Sequence, residues 1–171
     1  MIIRPERKEE YTAIYEVNKL AFGGEEEANL VDDLRKLPNF IPELSIVAIE
    51  EDQVIGHILF TPVTIESEDG PVPALALAPM AVFPEFQNQG IGSKLIKCGL
   101  KKCKESGHEI VVVLGHPPYY PRFGFKNAKE KGIRPSFKVS NDAFMVIGLV
   151  SHALNGVKGI VKYSKPFDKL I

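Results

Sequence analysis

The chain has 171 residues, 21 basic against 22 acidic side chains, 44% hydrophobic residues, two cysteines and no tryptophan. A chain near 150 residues buries roughly 70% of its extended surface, enough for one cooperative core, so a single domain is expected. Balanced charge offers no global field toward nucleic acid or an anionic membrane, no apolar run reaches the roughly 18 residues of a spanning helix, and Cys98 and Cys103 fit neither a CxxC pair nor a zinc site, so a reducing cytoplasm is the expected compartment.

Ile2-Ile3-Arg4 opens as a short strand that stops at Pro5, and charges in MIIRPERKEEY stand where a secretion signal would carry its apolar stretch. From Arg7 to Phe22, Ile14, Val17, Leu20 and Ala21 recur at helical spacing. Gly23-Gly24 breaks that helix. Glu25 to Lys36 forms a second, with an acidic first turn that the helix dipole favours and with Ala28, Leu30, Val31 and Leu34 inward; Pro38 and Pro42 end it. Leu44 to Glu50 and Val54 to Ile65 are rich in β-branched residues and read as a hairpin about Glu51-Asp52-Gln53.

Glu66 to Pro71 is a dense turn signal. Pro73 to Phe83 (PALALAPMAVF) is almost wholly apolar, as for a strand buried on both faces, and Pro79 within it lacks a ladder donor, so the strand should bulge or lose a partner there. After Gln87-Asn88-Gln89-Gly90-Ile91-Gly92, a helix from Ser93 to about Glu105 turns Leu95, Leu100 and Cys103 inward, and Lys94, Lys97, Lys101 and Lys104 outward as a solvated face. Glu109 to Gly115 is another buried strand, followed by the loop His116 to Phe125. Ala143 to Val150 adds a strand, and a Gly- and Lys-punctuated tail ends near Lys162-Tyr163. The order β-α-α-β-β-β-α-β, with one or two further strands, predicts a mixed α/β domain.

The segment from Leu77 to Leu95 carries chemistry. A strand that enters a helix through a Gly-containing loop makes an anion site, because the first helical N–H groups have no intrahelical acceptor and the dipole is positive there. A phosphate-bearing ligand follows. A Walker loop needs GxxxxGK[ST], and GIGSK is too short with Ser and Lys exchanged; a dinucleotide fingerprint needs a third glycine where Leu95 stands.

Gln87-x-x-Gly90-x-Gly92 after APMAV resembles the acyl-CoA-binding motif of the GCN5-related N-acetyltransferases (GNAT), Q/R-x-x-G-x-G/A, and the order of elements over most of residues 1–150 is also theirs. The resemblance implies a GNAT-like α/β domain over residues 1–150, a mixed central sheet of about seven strands flanked by helices and splayed at the acyl-CoA site, and a C-terminal extension, 151–171, packing on the same domain. It implies transfer of an acetyl group from acetyl-CoA to a primary amine by direct attack, with no metal. The loop Gln87, Asn88, Gln89, Gly90, Ile91, Gly92 and Ser93 would bind the cofactor, the backbone from Gln89 through Ser93 taking the pyrophosphate, and pantetheine would lie along Met80, Ala81 and Val82.

Tyr119-Tyr120-Pro121-Arg122-Phe123-Gly124-Phe125 resembles the family's Y-x-x-x-G-F segment, which implies Tyr120 as the general acid for the departing thiolate and leaves Tyr119 as a packing residue. Where the family often carries an Asn before this Tyr, the chain has Gly115-His116-Pro117-Pro118. For the base, His116, Glu85 and a water relay stay open, the relay ranking first; His57 and His108 read as structural or exposed. The acceptor also stays open among amino acids, polyamines, aminoglycosides and protein amines. Glu25, Glu26, Glu27, Asp32 and Asp33 suit either a cationic acceptor or a solvated helix face. Two copies can pair through the C-terminal strands, and the alternative function is an acyl-CoA-binding module without turnover.

Overall fold

The computed structural model of the protein describes residues 1–170. In chain order its elements are β1 (Ile2–Pro5), α1 (Tyr11–Phe22), α2 (Glu26–Arg35), β2 (Ser45–Glu50), β3 (Gln53–Ser67), β4 (Gly70–Val82), α3 (Ile91–Glu105), β5 (Ile110–Leu114), β6 (Lys126–Asn127), β7 (Ile133–Pro135), β8 (Phe144–Gly148) and β9 (Gly159–Lys162). The strands form one sheet in the order β1-β2-β3-β4-β5-β8-β6, and β9 pairs with both β3 and β7. Parallel pairing links β4 to β5 and β7 to β9; β1/β2, β2/β3, β3/β9, β5/β8 and β6/β8 are antiparallel. This is the expected mixed α/β architecture. The nine strands, against about seven expected, include the two-residue β6 and three-residue β7, which carry no apolar alternation to announce them.

The chain divides into two compact units, with boundaries inside β3, β4 and α3. The first contains Met1–Thr61, Ala78–Lys102 and Leu170. In the β2–β3 hairpin, Glu50 pairs with Gln53 and the turn residues Glu51 and Asp52 have φ of 48° and 64°, the primed-turn geometry that matches strand twist. Helix α3 lies close on β3 because two glycines leave room: a Cβ at Gly99 would stand 2.7 Å from Phe60 Cζ, and one at Gly56 3.0 Å from Leu95 Cδ1. On α1 the buried face is Ile14, Val17 and Asn18; Leu20, expected inward, is 45% exposed, because six residues from Ile14 at 100° each carry it round the helix.

A polar chain runs through this unit. Glu6 can only accept, so the Ser45 hydroxyl donates to it, and His57 Nε2–H must donate to Ser45 Oγ (2.9 Å). That fixes the tautomer: His57 Nδ1 accepts from Asn18 Nδ2 (3.1 Å), which also donates to Ile14 O (3.0 Å). Arg35 closes the chain, donating from Nη2 and Nε to the Glu6 carboxylate (2.9 and 3.1 Å). Burial, reinforced by the Arg35 charge, pushes the His57 pKa down to about 3. His57 is therefore a neutral structural residue.

The second unit contains Pro62–Leu77 and Cys103–Lys169. Its core packs Val63, Ile65, Ala74 and Ala76 of β3 and β4 with Ile110, Val112, Phe144, Val146 and Val161. Strand β9 fills the gap between Thr64–Glu66 of β3 and Ile133–Pro135 of β7.

Candidate active site

Strand β4 pairs with β5 over Leu75–Leu77, and the register ends before Pro79, where the sequence predicts the loss of a ladder partner because proline has no N–H. The Ala78–Pro79 peptide is cis. On the following stretch Ala81 is buried and Met80 and Val82 are half-buried, and Phe83 N–H donates to Ile55 O (2.8 Å). A short turn, Pro84–Phe86, then carries the chain to Gln87.

From here the loop folds back on itself. Gln87 Nε2 donates to Val82 O (3.0 Å), tying the loop to the end of β4, and Gln89 Nε2 donates to Glu85 O (3.3 Å). Asn88 (φ 64°) and Gly90 (φ 84°) both take the left-handed conformation. At Gly90 a Cβ would meet nothing within 4 Å, so glycine is needed there for backbone freedom rather than for space. Helix α3 begins at Ile91, ahead of the expected Ser93, because Ile91 is buried and a glycine in the first turn does not stop a helix. Its ladder opens with Lys94 N–H donating to Gly90 O (3.1 Å). Residues Gln87–Gly90 are exposed, so the positive end of this helix is open to an anion. Lys94, Lys97, Lys101 and Lys104 lie exposed along α3. Cys103 is buried, its thiol pushed up to about 12 by burial; Cys98 is half-buried.

The second unit holds the other predicted element. Tyr119 N–H donates to His116 O (3.1 Å), and a single 3-10 turn, Tyr120–Phe123, ends at Gly124 (φ 102°). Tyr120 is buried, with its ring edge-on to Tyr119 (5.2 Å between centroids) and Phe125 (5.6 Å). Burial, followed by the neighbouring Tyr119, pushes its phenol up to about 12, so it stays protonated at neutral pH. Tyr119 carries the Arg122 guanidinium over its ring at 4.5 Å. His116 and Glu85, the two side chains weighed as base, are both exposed.

Of the five acidic residues read on the helix pair, Glu25, Asp32 and Asp33 have local partners. Tyr15 donates to Glu25 (2.9 Å), Asp32 accepts from Arg35 (3.1 Å), and Asp33 lies 3.9 Å from Lys36. A cavity of about 400 Å³ in the first unit, not foreseen from the sequence, has Glu9, Glu16 and Asp52 on its wall beside Val17 and Phe83. Its carboxylates come from α1, the turn before it and the hairpin tip, a grouping that spacing along the chain does not reveal. Among the described residues, no group of three His, Cys, Asp or Glu side chains is placed to hold a metal ion, and no helix is long and apolar enough to cross a membrane.

A family model described as "Acetyltransferase (GNAT) domain" matches residues 2–128. The curated "Uncharacterized N-acetyltransferase YhbS" of Escherichia coli K12 is 36% identical over 169 residues, 99% of either chain. "Uncharacterized N-acetyltransferase YjhQ" of the same strain is 40% identical over 137 residues, 79% of this chain and 75% of its own length. The crystal structure of YhbS from Escherichia coli in complex with CoA superposes with a TM-score of 0.90 at 34% identity, over 98% of this chain and 91% of that one. A GNAT family acetyltransferase from Brucella melitensis, in complex with acetyl-CoA, gives a TM-score of 0.80 at 32% identity, over 98% and 97%.

Proposed function

The chain belongs to the acetyltransferase (GNAT) family, and we propose that it transfers an acetyl group from acetyl-CoA to a primary amine by direct attack. The observation that carries this reading is the junction of β4 and α3, where Gln87 ties the loop to Val82 and left-handed Asn88 and Gly90 turn it into an exposed helix N-terminus. Backbone N–H groups from Gln89 through Ser93 take the pyrophosphate of coenzyme A, and the pantetheine runs along Met80, Ala81 and Val82. The relatives crystallised with CoA and acetyl-CoA support this assignment.

In the reaction the amine lone pair attacks the thioester carbonyl, a C–N bond forms and the C–S bond breaks. The proton that the amine loses balances the one that the CoA thiolate gains. Tyr120, protonated throughout the working range, acts as the acid, donating its phenolic hydrogen to sulfur as charge develops there. Water carries the amine proton away and returns a proton to the Tyr120 phenolate, which restores the acid; His116 and Glu85 are both exposed to that water. Binding both substrates in one orientation supplies the rest of the acceleration.

Residues 1–150 act as the transferase domain, and 151–171 as an extension of it; the pairing of β9 with β3 supports the packing of that extension on the domain. The protein works in the cytoplasm. Its proposed homodimer would use an edge other than β8 or β9, since each of those already has a strand on both sides.

Calorimetry with acetyl-CoA, followed by free-thiol release with glycine, spermidine, kanamycin and a lysine peptide as acceptors, tests the reading. Binding tighter than about 50 μM and amine-dependent release are expected. Binding without release from any amine would favour an acyl-CoA-binding module, and absence of binding would remove both.

A further inference from the structure

Gly115 follows Leu114, the last residue of β5, in the second unit, and its backbone is not in the left-handed region that favours glycine, so its conformation is open to any residue. Its missing side chain matters for space. A Cβ there would stand 2.8 Å from Cδ2 and 3.2 Å from Cζ of Tyr120, and closer still to Cε2. Gly115 N–H donates to Ala143 O (3.0 Å), which ties this stretch of backbone to the strand-end framework. The loop then turns through His116–Tyr119 and returns the Tyr120 ring against the backbone that began it.

The ring has little room to yield. A tyrosine has two side-chain torsions, and here Tyr119 and Phe125 meet it edge-on while only 7% of the residue is exposed. The geometry points to Gly115 as the positioning residue for the Tyr120 phenol: by lacking a Cβ it lets the Cδ2–Cε2–Cζ edge of the ring close on the backbone that leaves β5. The catalytic half of this inference rests on the acid role proposed for Tyr120.

Two measurements on the full chain test it. In NOE spectra of the wild type, the Gly115 Hα protons should show strong cross-peaks to the Tyr120 ring protons, and Tyr120→Leu should abolish them. In thiol-release kinetics with acetyl-CoA and the fastest amine of the panel, Gly115→Ala should lower kcat by about tenfold or more, as expected of a misplaced catalytic group, while KM for acetyl-CoA stays within about twofold. Added to Tyr120→Phe, Gly115→Ala should lower kcat no further, because residues that act through one another are not additive. Absence of those cross-peaks, or an equal kcat loss from Gly115→Ala with and without the Tyr120 hydroxyl, would overturn the positioning role. Full kcat in Tyr120→Phe would instead refute the acid role, and with it the catalytic half, while the NOE result still decides whether Gly115 seats the ring.

Discussion

Acidification should expose His57. In the folded chain burial, aided by the charge of Arg35, holds its pKa near 3, whereas the unfolded imidazole titrates near 6.5. Between those values the unfolded state binds a proton that the folded state refuses, so stability falls as pH drops through the window, by about 1.4 kcal/mol per pH unit at most. The step from pH 7 to pH 5 therefore costs about 2 kcal/mol through this one residue, and the whole window about 5 kcal/mol. Replacing His57 with Gln keeps a donor and an acceptor between Asn18 and Ser45 but removes the titration. Urea unfolding of both proteins at pH 7, 6 and 5 isolates the effect. Packing losses in His57→Gln shift all three values together, and the remaining histidines and carboxylates contribute equally to both proteins. The wild type should lose about 2 kcal/mol more than His57→Gln between pH 7 and pH 5. Equal losses, or a His57 ring resonance that titrates near 6.5 in the folded protein, would refute the buried neutral tautomer.

Gly99→Ala should destabilise by about 1–3 kcal/mol in urea, because its Cβ enters the fully buried Phe60 ring and forces α3 away from β3; an unchanged midpoint would contradict that packing. Gly90→Ala should weaken acetyl-CoA several-fold by calorimetry with only about 1–2 kcal/mol lost in stability, since a Cβ there meets no neighbour but the residue must hold φ 84°. With a thiol reagent at pH 8, Cys98 should label in the native protein and Cys103 only on unfolding, as its buried thiol is pushed up to about 12; simultaneous labelling would count against the burial.

What the sequence made legible was what lies contiguous along it. The β4–loop–α3 junction is built from Met80 to Ser93 in one run, and each residue type there answers a local need: apolar residues for a buried strand, Gln87 to tie the turn, Gly90 for a positive φ, and a helix start beyond it. The long strands and all three helices were legible for the same reason. For His57 a structural role was readable but its network was not, because its partners stand 39 residues before it on α1 and 12 before it on β2. Strands β6 and β7 exist because β8 and β9 offer edges to pair with, and two or three residues carry no periodicity of their own. Leu20 matched an apolar spacing yet lies off the buried face of α1, since a helical stripe admits neighbours that geometry then turns to solvent. Gly115 read as the end of a strand. Its service to Tyr120 depends on an atom it lacks, which only the folded loop can show.

Acetyl transfer to an amine is the central claim, and the most direct measurement follows both products of one reaction. Incubation of the protein with acetyl-CoA and the amine panel, read by mass spectrometry for the acetamide and by thiol titration for CoA, should give the two products in equal amounts. The rate should fall substantially in Tyr120→Phe while acetyl-CoA still binds. CoA release without any acetamide, or no release with any amine despite tight acetyl-CoA binding, would contradict it.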